Sequence, residues 1–203
     1  MGWLIVALLL CGLFLYFLKR RPTQPVDISI LPQQFVVVDL ETTGLIAGQH
    51  EIIEIGAIRV HRDSNKHDTF QALIKSSKKI PKKITELTGI TQGMVDNEGI
   101  SLAEAMKEFL NFIGTDRIVA YNAEFDMSFL KEAAKQVGGE IKNPSSCALK
   151  MAKRAWPGKK SYRLSDLAAD GNLTTENAHR ALHDCKTTML IYSAAATLLR
   201  SIK

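Results

Sequence analysis

Residues 36–44 read VVVDLETTG, an apolar run that ends in two carboxylates one residue apart and then a Thr-Thr-Gly turn. Such a run, closed by a turn signal, belongs to a buried strand. Side chains alternate along a strand, so Asp39 and Glu41 point to one face at its C-terminal end. There they repel each other. In α/β sheets that end is where ligands bind, and two close carboxylates without a basic neighbour are most easily reconciled by a divalent cation. Two exposed acids at a strand end remain the simpler account of a bare D-x-E. Gly44 sharpens the first reading, because it allows a tight turn whose amides can approach a ligand.

The rest of the chain supplies the other layers of such a sheet. After the strand at Phe35–Leu40, IIEIGAIRV from Ile52 and DTFQALIK from Asp68 read as two more strands, with RDSNKH as the turn between them. The period then changes to that of a helix. Leu102, Ala105, Met106, Phe109, Leu110 and Ile113 form one apolar stripe, opened by a capping box of Ser101 and Glu104. A short strand at Arg117–Tyr121 precedes a helix from about Ala123 to Val137, which Gly138 and Gly139 stop. Another strand and helix are expected around Cys147. The last helix, about Ala181 to Arg200, is expected to bury Leu182, Cys185, Met189, Tyr192, Ala196 and Leu199. Three strands followed by alternating helices and strands predict an α/β fold with a mixed sheet flanked by helices.

The first residues follow different rules. MGWLIVALLLCGLFLYFLKRR has no charged side chain before Lys19, and an apolar block runs from Trp3 to Leu18. As a helix this block reaches about 24 Å, slightly short of a hydrocarbon core of roughly 30 Å. A cleaved secretion signal would carry its positive charge ahead of the apolar block, whereas Lys19, Arg20 and Arg21 follow it. The expectation is a transmembrane helix at 1–21, single-pass in the cell inner membrane, with the rest of the chain on the cytoplasmic side. Residues 22–34, rich in proline, read as a tether, and 35–203 as the folded domain.

Charge and cysteine content fit this layout. The net charge is +5, but residues 1–21 carry three of the 26 Lys and Arg and none of the 21 Asp and Glu, which leaves +2 for the remainder. Distribution says more than the total. Lys75, Lys78, Lys79, Lys82 and Lys83 crowd together, and Lys142, Lys150, Lys153, Arg154, Lys159, Lys160 and Arg163 share a stretch free of acids. Either a solvated face or a surface for phosphates explains such runs. Cys147 and Cys185 lack C-x-x-C spacing and read as reduced packing residues.

Two further segments carry acids at element boundaries. In YNAEFDMSFL, Asp126 falls in the first turn of a helix, where it also suits the helix dipole, and Phe125 and Phe129 stand four residues apart. In HRALHDC, His179 precedes the last helix and Asp184 follows five residues later. Asp39, Glu41, Asp126 and Asp184 together can hold two Mg²⁺ or Mn²⁺ ions, the arrangement that clamps the two oxygens of a phosphoryl displacement. Histidine suits proton transfer near neutral pH, so His179 is the candidate base.

With these three segments in this order, the chain resembles the DnaQ-like, DEDDh-type 3′-to-5′ exonucleases, which include the proofreading epsilon subunit of bacterial DNA polymerase III. DLETTG matches the first family motif, NAEFD the second and HRALHD the third, and the similarity runs from Phe35 to near the C-terminus. The resemblance implies a ribonuclease H-like sheet, with Asp39, Glu41, Asp126 and Asp184 as metal ligands and His179 as general base. It further implies that Thr42, Thr43 and Leu45 cradle or wedge the terminal nucleotide, and that Asn122 and Phe125 shape the site. Tyr121 stands where many relatives carry histidine.

The expected activity is therefore metal-dependent release of nucleoside monophosphates from the 3′ ends of single-stranded DNA or RNA, with DNA first. An inactive membrane-tethered module that binds nucleic-acid ends is the alternative, and a nuclease that cuts internally is a third. Because the chain stops at LLRSIK after the last helix, no stable polymerase partner is expected.

Overall fold

The structure is a computed structural model that describes residues 31–173 and 179–201. The expected membrane helix at 1–21, Cys11 and most of the tether lie outside the described residues. Among the described residues no helix is long and apolar enough to cross a membrane.

Five strands form one sheet: β1 (Gln34–Thr42), β2 (Ile52–His61), β3 (Asp68–Leu73), β4 (Ile118–Ala120) and β5 (Ser145–Cys147), in the order β3-β2-β1-β4-β5. β1 pairs antiparallel with β2, and β2 with β3, as the short connections require. β4 pairs in parallel with β1, and β5 in parallel with β4, each after a helical crossover. The expected mixed sheet is thus present. The helices among the described residues are α1 (Lys82–Thr88), α2 (Gln92–Glu98), α3 (Leu102–Ile113), α4 (Ala123–Gln136), α5 (Ala148–Ala155), α6 (Leu164–Asp170) and α7 (Ala181–Ser201).

Alternation along β1 divides the core. Val36, Val38 and Leu40 face α3 and α4 and pack with Met106, Phe109, Met127 and Leu130. Phe35 and Val37 face the other way and pack with Ile58, Cys185, Tyr192 and Ala196. Asp39 and Glu41 continue that second face toward the start of α7. Ser101 caps α3 as expected, its Oγ accepting from the Glu104 N–H at 3.2 Å.

Three expectations need adjustment. The lysine-rich stretch after β3 leads into α1, which the sequence reading left without structure, and α2 follows it. α1 is too short and too polar for a periodic signal, but Ile80, Ile90 and Val95 around it bury against Ile53. α6 was also unforeseen, and its Leu167 packs with Ile191 of α7. On α7, Cys185, Tyr192 and Ala196 are buried, whereas Leu182, Met189 and Leu199 are only half-buried. Both described cysteines are free thiols, as expected.

Candidate active site

The sheet brings its ligand-bearing ends together. β1 and β4 run parallel, so the C-terminal end of β1, with Asp39 and Glu41, lies beside the β4–α4 junction that carries Asp126. β2 runs the opposite way, and its first residues stand at the same end. Asp39, Glu41 and Asp184 each offer a carboxylate oxygen, and all three lie within 4.8 Å of one another. Asp126 stands outside that triplet. Its charge is nevertheless the largest electrostatic influence on Asp39.

The charges are costly without a partner. Burial first, then the charges of Asp126, Glu41 and Asp184, hold the Asp39 carboxyl well above the usual range. Glu41 is pushed up to about 8, mainly by burial and then by Asp184 and Glu54, with Arg180 opposing. Burial raises Asp126 to about 7. Burial also raises Asp184, against the pull of the His179 backbone N–H and the His179 and His183 rings. A close group of hard oxygen donors, each disfavoured as a free anion, fits a hard divalent cation. The residues present therefore suit Mg²⁺ or Mn²⁺.

His179 is exposed at the mouth of this group. Its backbone is left-handed, with φ 63°, an uncommon conformation outside glycine. Its N–H donates to Asp184 Oδ2 at 3.2 Å, which ties the residue to the ligand cluster through the main chain. With His183 and Asp184 it lines a small depression between α6 and α7.

The residues expected to touch substrate divide into two groups. Leu45 is 81% exposed, beside the exposed Ile46 on the loop after β1. Phe125 is half-buried and stacks on Phe129 with ring centroids 5.0 Å apart, and Asn122 is exposed at the start of α4. Thr42 and Thr43 are buried instead, and their hydroxyls hold the turn. Thr42 Oγ1 donates to the Gly44 carbonyl at 2.6 Å, and Thr43 Oγ1 accepts from the Glu51 N–H at 2.9 Å. The Tyr121 hydroxyl donates to the Tyr162 carbonyl, so this residue ties β4 to the loop before α6.

The sequence reading passed over two residues. Glu54 of β2 is fully buried, and Arg180 forks onto its carboxylate, with Nη2 at 2.7 Å and Nε at 3.3 Å. The only local signal was a glutamate inside the apolar run IIEIGAI, where a buried charge demands a partner. Several cations counted toward a phosphate surface are also engaged. Lys78 Nζ donates to the Gln49 carbonyl, Lys142 pairs with Glu140, and Lys159 pairs with Asp170.

Comparison with known proteins identifies the family. The RNase_T family model, described as exonuclease, matches residues 36–192. The DNA polymerase III epsilon subunit of Aquifex aeolicus is 36% identical over 165 residues, which cover 81% of each chain. A PolC-type DNA polymerase III from Clostridium perfringens is 37% identical over 155 residues, 76% of this chain but only 11% of that enzyme. Among solved structures, E. coli exonuclease I with a dA16 oligonucleotide superposes with a TM-score of 0.73 at 18% identity, over 84% of this chain and 42% of that one. Exonuclease X with 5′-overhanging duplex DNA gives a TM-score of 0.61 at 25% identity, over 82% of this chain and 92% of that one. The chain thus spans a small part of the PolC-type enzyme and less than half of exonuclease I.

Proposed function

The chain belongs to the RNase_T exonuclease family, the DnaQ-like group to which the epsilon subunits belong, and on that premise we propose a membrane-tethered 3′-to-5′ exonuclease acting on single-stranded nucleic acid, DNA by preference. The observation that carries this reading is the approach of Asp39, Glu41 and Asp184 to within 4.8 Å of one another. No ion pair reaches any of the three among the described residues.

Asp39, Glu41 and Asp184 would hold one Mg²⁺ or Mn²⁺, and Asp39 with Asp126 a second. When bound, the two ions supply Lewis-acid activation of water and neutralise charge on the departing 3′ oxygen. His179 takes a proton from the attacking water, a role that suits its place at the mouth beside Asp184. Leu45 wedges against the terminal base, and Phe125 and Asn122 help shape the site. The Thr42 and Thr43 hydroxyls brace the turn and so hold in place the loop that would cradle the terminal nucleotide.

Phosphates upstream of the cleaved bond need a basic path. An open groove of about 520 Å³ between α4 and the start of α5 is lined by Lys131 and Lys150, with Glu124 as its one acid and Ala123 and Met127 on its α4 side. Lys153 and Arg154 are exposed nearby on α5. Binding through such contacts is independent of sequence and weakens with salt.

The first described residues show where the chain enters the fold. Leu31 is buried, and Arg62 Nη1 donates to its carbonyl at 2.9 Å, so the chain enters the fold just ahead of β1. Glu41 lies at the other end of that strand, about 23 Å away at roughly 3.3 Å per residue. A tether at 22–34 would thus join the domain at the end of β1 opposite the carboxylate cluster. Epsilon and the PolC-type enzymes are by name parts of DNA polymerase III, which weighs against a stand-alone enzyme, and stoichiometric copurification with a polymerase would decide for a complex.

The test compares wild type, Asp39→Ala and His179→Ala on matched DNA and RNA oligomers with Mn²⁺. Loss of at least about 100-fold is expected in both variants, the usual size of a general-base contribution. Full activity in either variant removes its assigned role. Binding without release of mononucleotides by the wild type would favour the inactive end-binding module, and cleavage of a circular single strand would favour an endonuclease.

A further inference from the structure

His179 must sit still to act as a base, yet among the described residues no hydrogen bond to its ring holds it. It is exposed, left-handed, and bonded to the described residues through its backbone N–H alone. The next two residues are anchored firmly. Arg180 forks onto Glu54, and the other carboxylate oxygen of Glu54 accepts from the Ala181 N–H at 3.0 Å. A side chain of β2 thus caps the first turn of α7, where a negative charge is favoured. Gln71 of β3 donates to the same carboxylate at 2.9 Å, so Glu54 cannot swing away. Gly56 completes the seat, because a Cβ there would meet the Ala181 and Leu182 backbone at 2.5 Å.

We propose that Glu54 and Arg180 form a positioning pair that fixes His179 beside the carboxylate cluster. The proposal rests on the reading of His179 as the base. Two anchored residues directly after His179 set where its Cα lies and in which direction its ring leaves the chain. Arg180 also has a geometric requirement that lysine cannot meet, since only a guanidinium presents two donors in a fixed fork.

A double-mutant cycle tests this on the full chain, with single-turnover hydrolysis of a labelled oligonucleotide in Mn²⁺. The four proteins are wild type, Arg180→Lys, His179→Ala and the double variant. Arg180→Lys is expected to lower kcat at least about 10-fold with KM within about two-fold, while in the His179→Ala background it changes the residual rate less than about two-fold. Equal factors in both backgrounds overturn the proposal, as does a rise in KM with kcat unchanged. Full activity in His179→Ala overturns the functional reading first, and the positioning role with it. If Arg180→Lys does not fold, Glu54→Gln runs the same cycle, because the amide keeps an acceptor for the Ala181 N–H while removing the ion pair.

Discussion

Glu41 and Glu54 stand directly opposite each other on neighbouring antiparallel strands, with their side chains on one face of the sheet. Like charges so placed repel, and the fold answers the two in different ways. Glu54 takes the Arg180 guanidinium and is sealed from solvent. Glu41 has no such ion pair among the described residues, and it joins Asp39 and Asp184 instead. One carboxylate is neutralised within the fold, and its neighbour joins the cluster that the proposed cation would occupy.

That division gives the metal-free protein an unusual pH dependence. An acid whose folded-state value exceeds its unfolded one stabilises the fold fully below the unfolded value and loses that contribution as pH rises through the folded one. The window runs from 4.5 to about 8 for Glu41 and from 3.8 to about 7 for Asp126. Thermal melts in EDTA should therefore fall in midpoint as pH is raised across these windows. Saturating Mn²⁺ should raise the midpoint most at the alkaline end, where protons no longer compete. A metal-free midpoint that climbs over the same range would show that these carboxylates ionise normally.

Gly56 is a second sensitive point. Because a side chain there meets the α7 backbone, Gly56→Val must push the start of that helix off the sheet. Overpacking of this kind costs about 1–3 kcal/mol. Chemical denaturation should register that loss, and nuclease activity should fall further than the loss of folded protein explains. An active variant of wild-type stability would mean that α7 is not seated as described.

Leu45 offers the opposite case. It is 81% exposed, so Leu45→Ala should leave the melting temperature unchanged. If the side chain is covered by the terminal base, its loss should raise KM for single strands roughly 10-fold, the scale of one buried leucine. An unchanged KM removes the wedge assignment.

Membrane attachment is tested by deleting residues 1–21. The full-length protein is expected in the membrane fraction, and the shortened one is expected in the soluble fraction with kcat/KM on free oligonucleotides within about two-fold of the parent. That retention follows from the entry of the chain at Leu31, at the far end of β1 from Asp39 and Glu41. A shortened protein that stays with the membrane would locate the attachment elsewhere.

Local physics carried much of the site into the sequence. The period of two along VVVDLET put Asp39 and Glu41 on one face, and the shift to helical spacing after Asn122 put Asp126 in a first turn. His179 and Asp184 could be assigned to the start of the last helix for the same reason, since each statement needs only the residues beside it. The tertiary structure alone decided what the rest of the site rests on. Glu54 and Arg180 are 126 positions apart, and no local pattern tells which strand face a distant helix will cover. That pairing depends on the register of β1 with β2 and on α7 lying against Gly56, both products of long-range packing. The Thr42 and Thr43 hydroxyls were likewise free in the sequence, and only the return of the chain through Glu51 and the fold of the turn gave them partners.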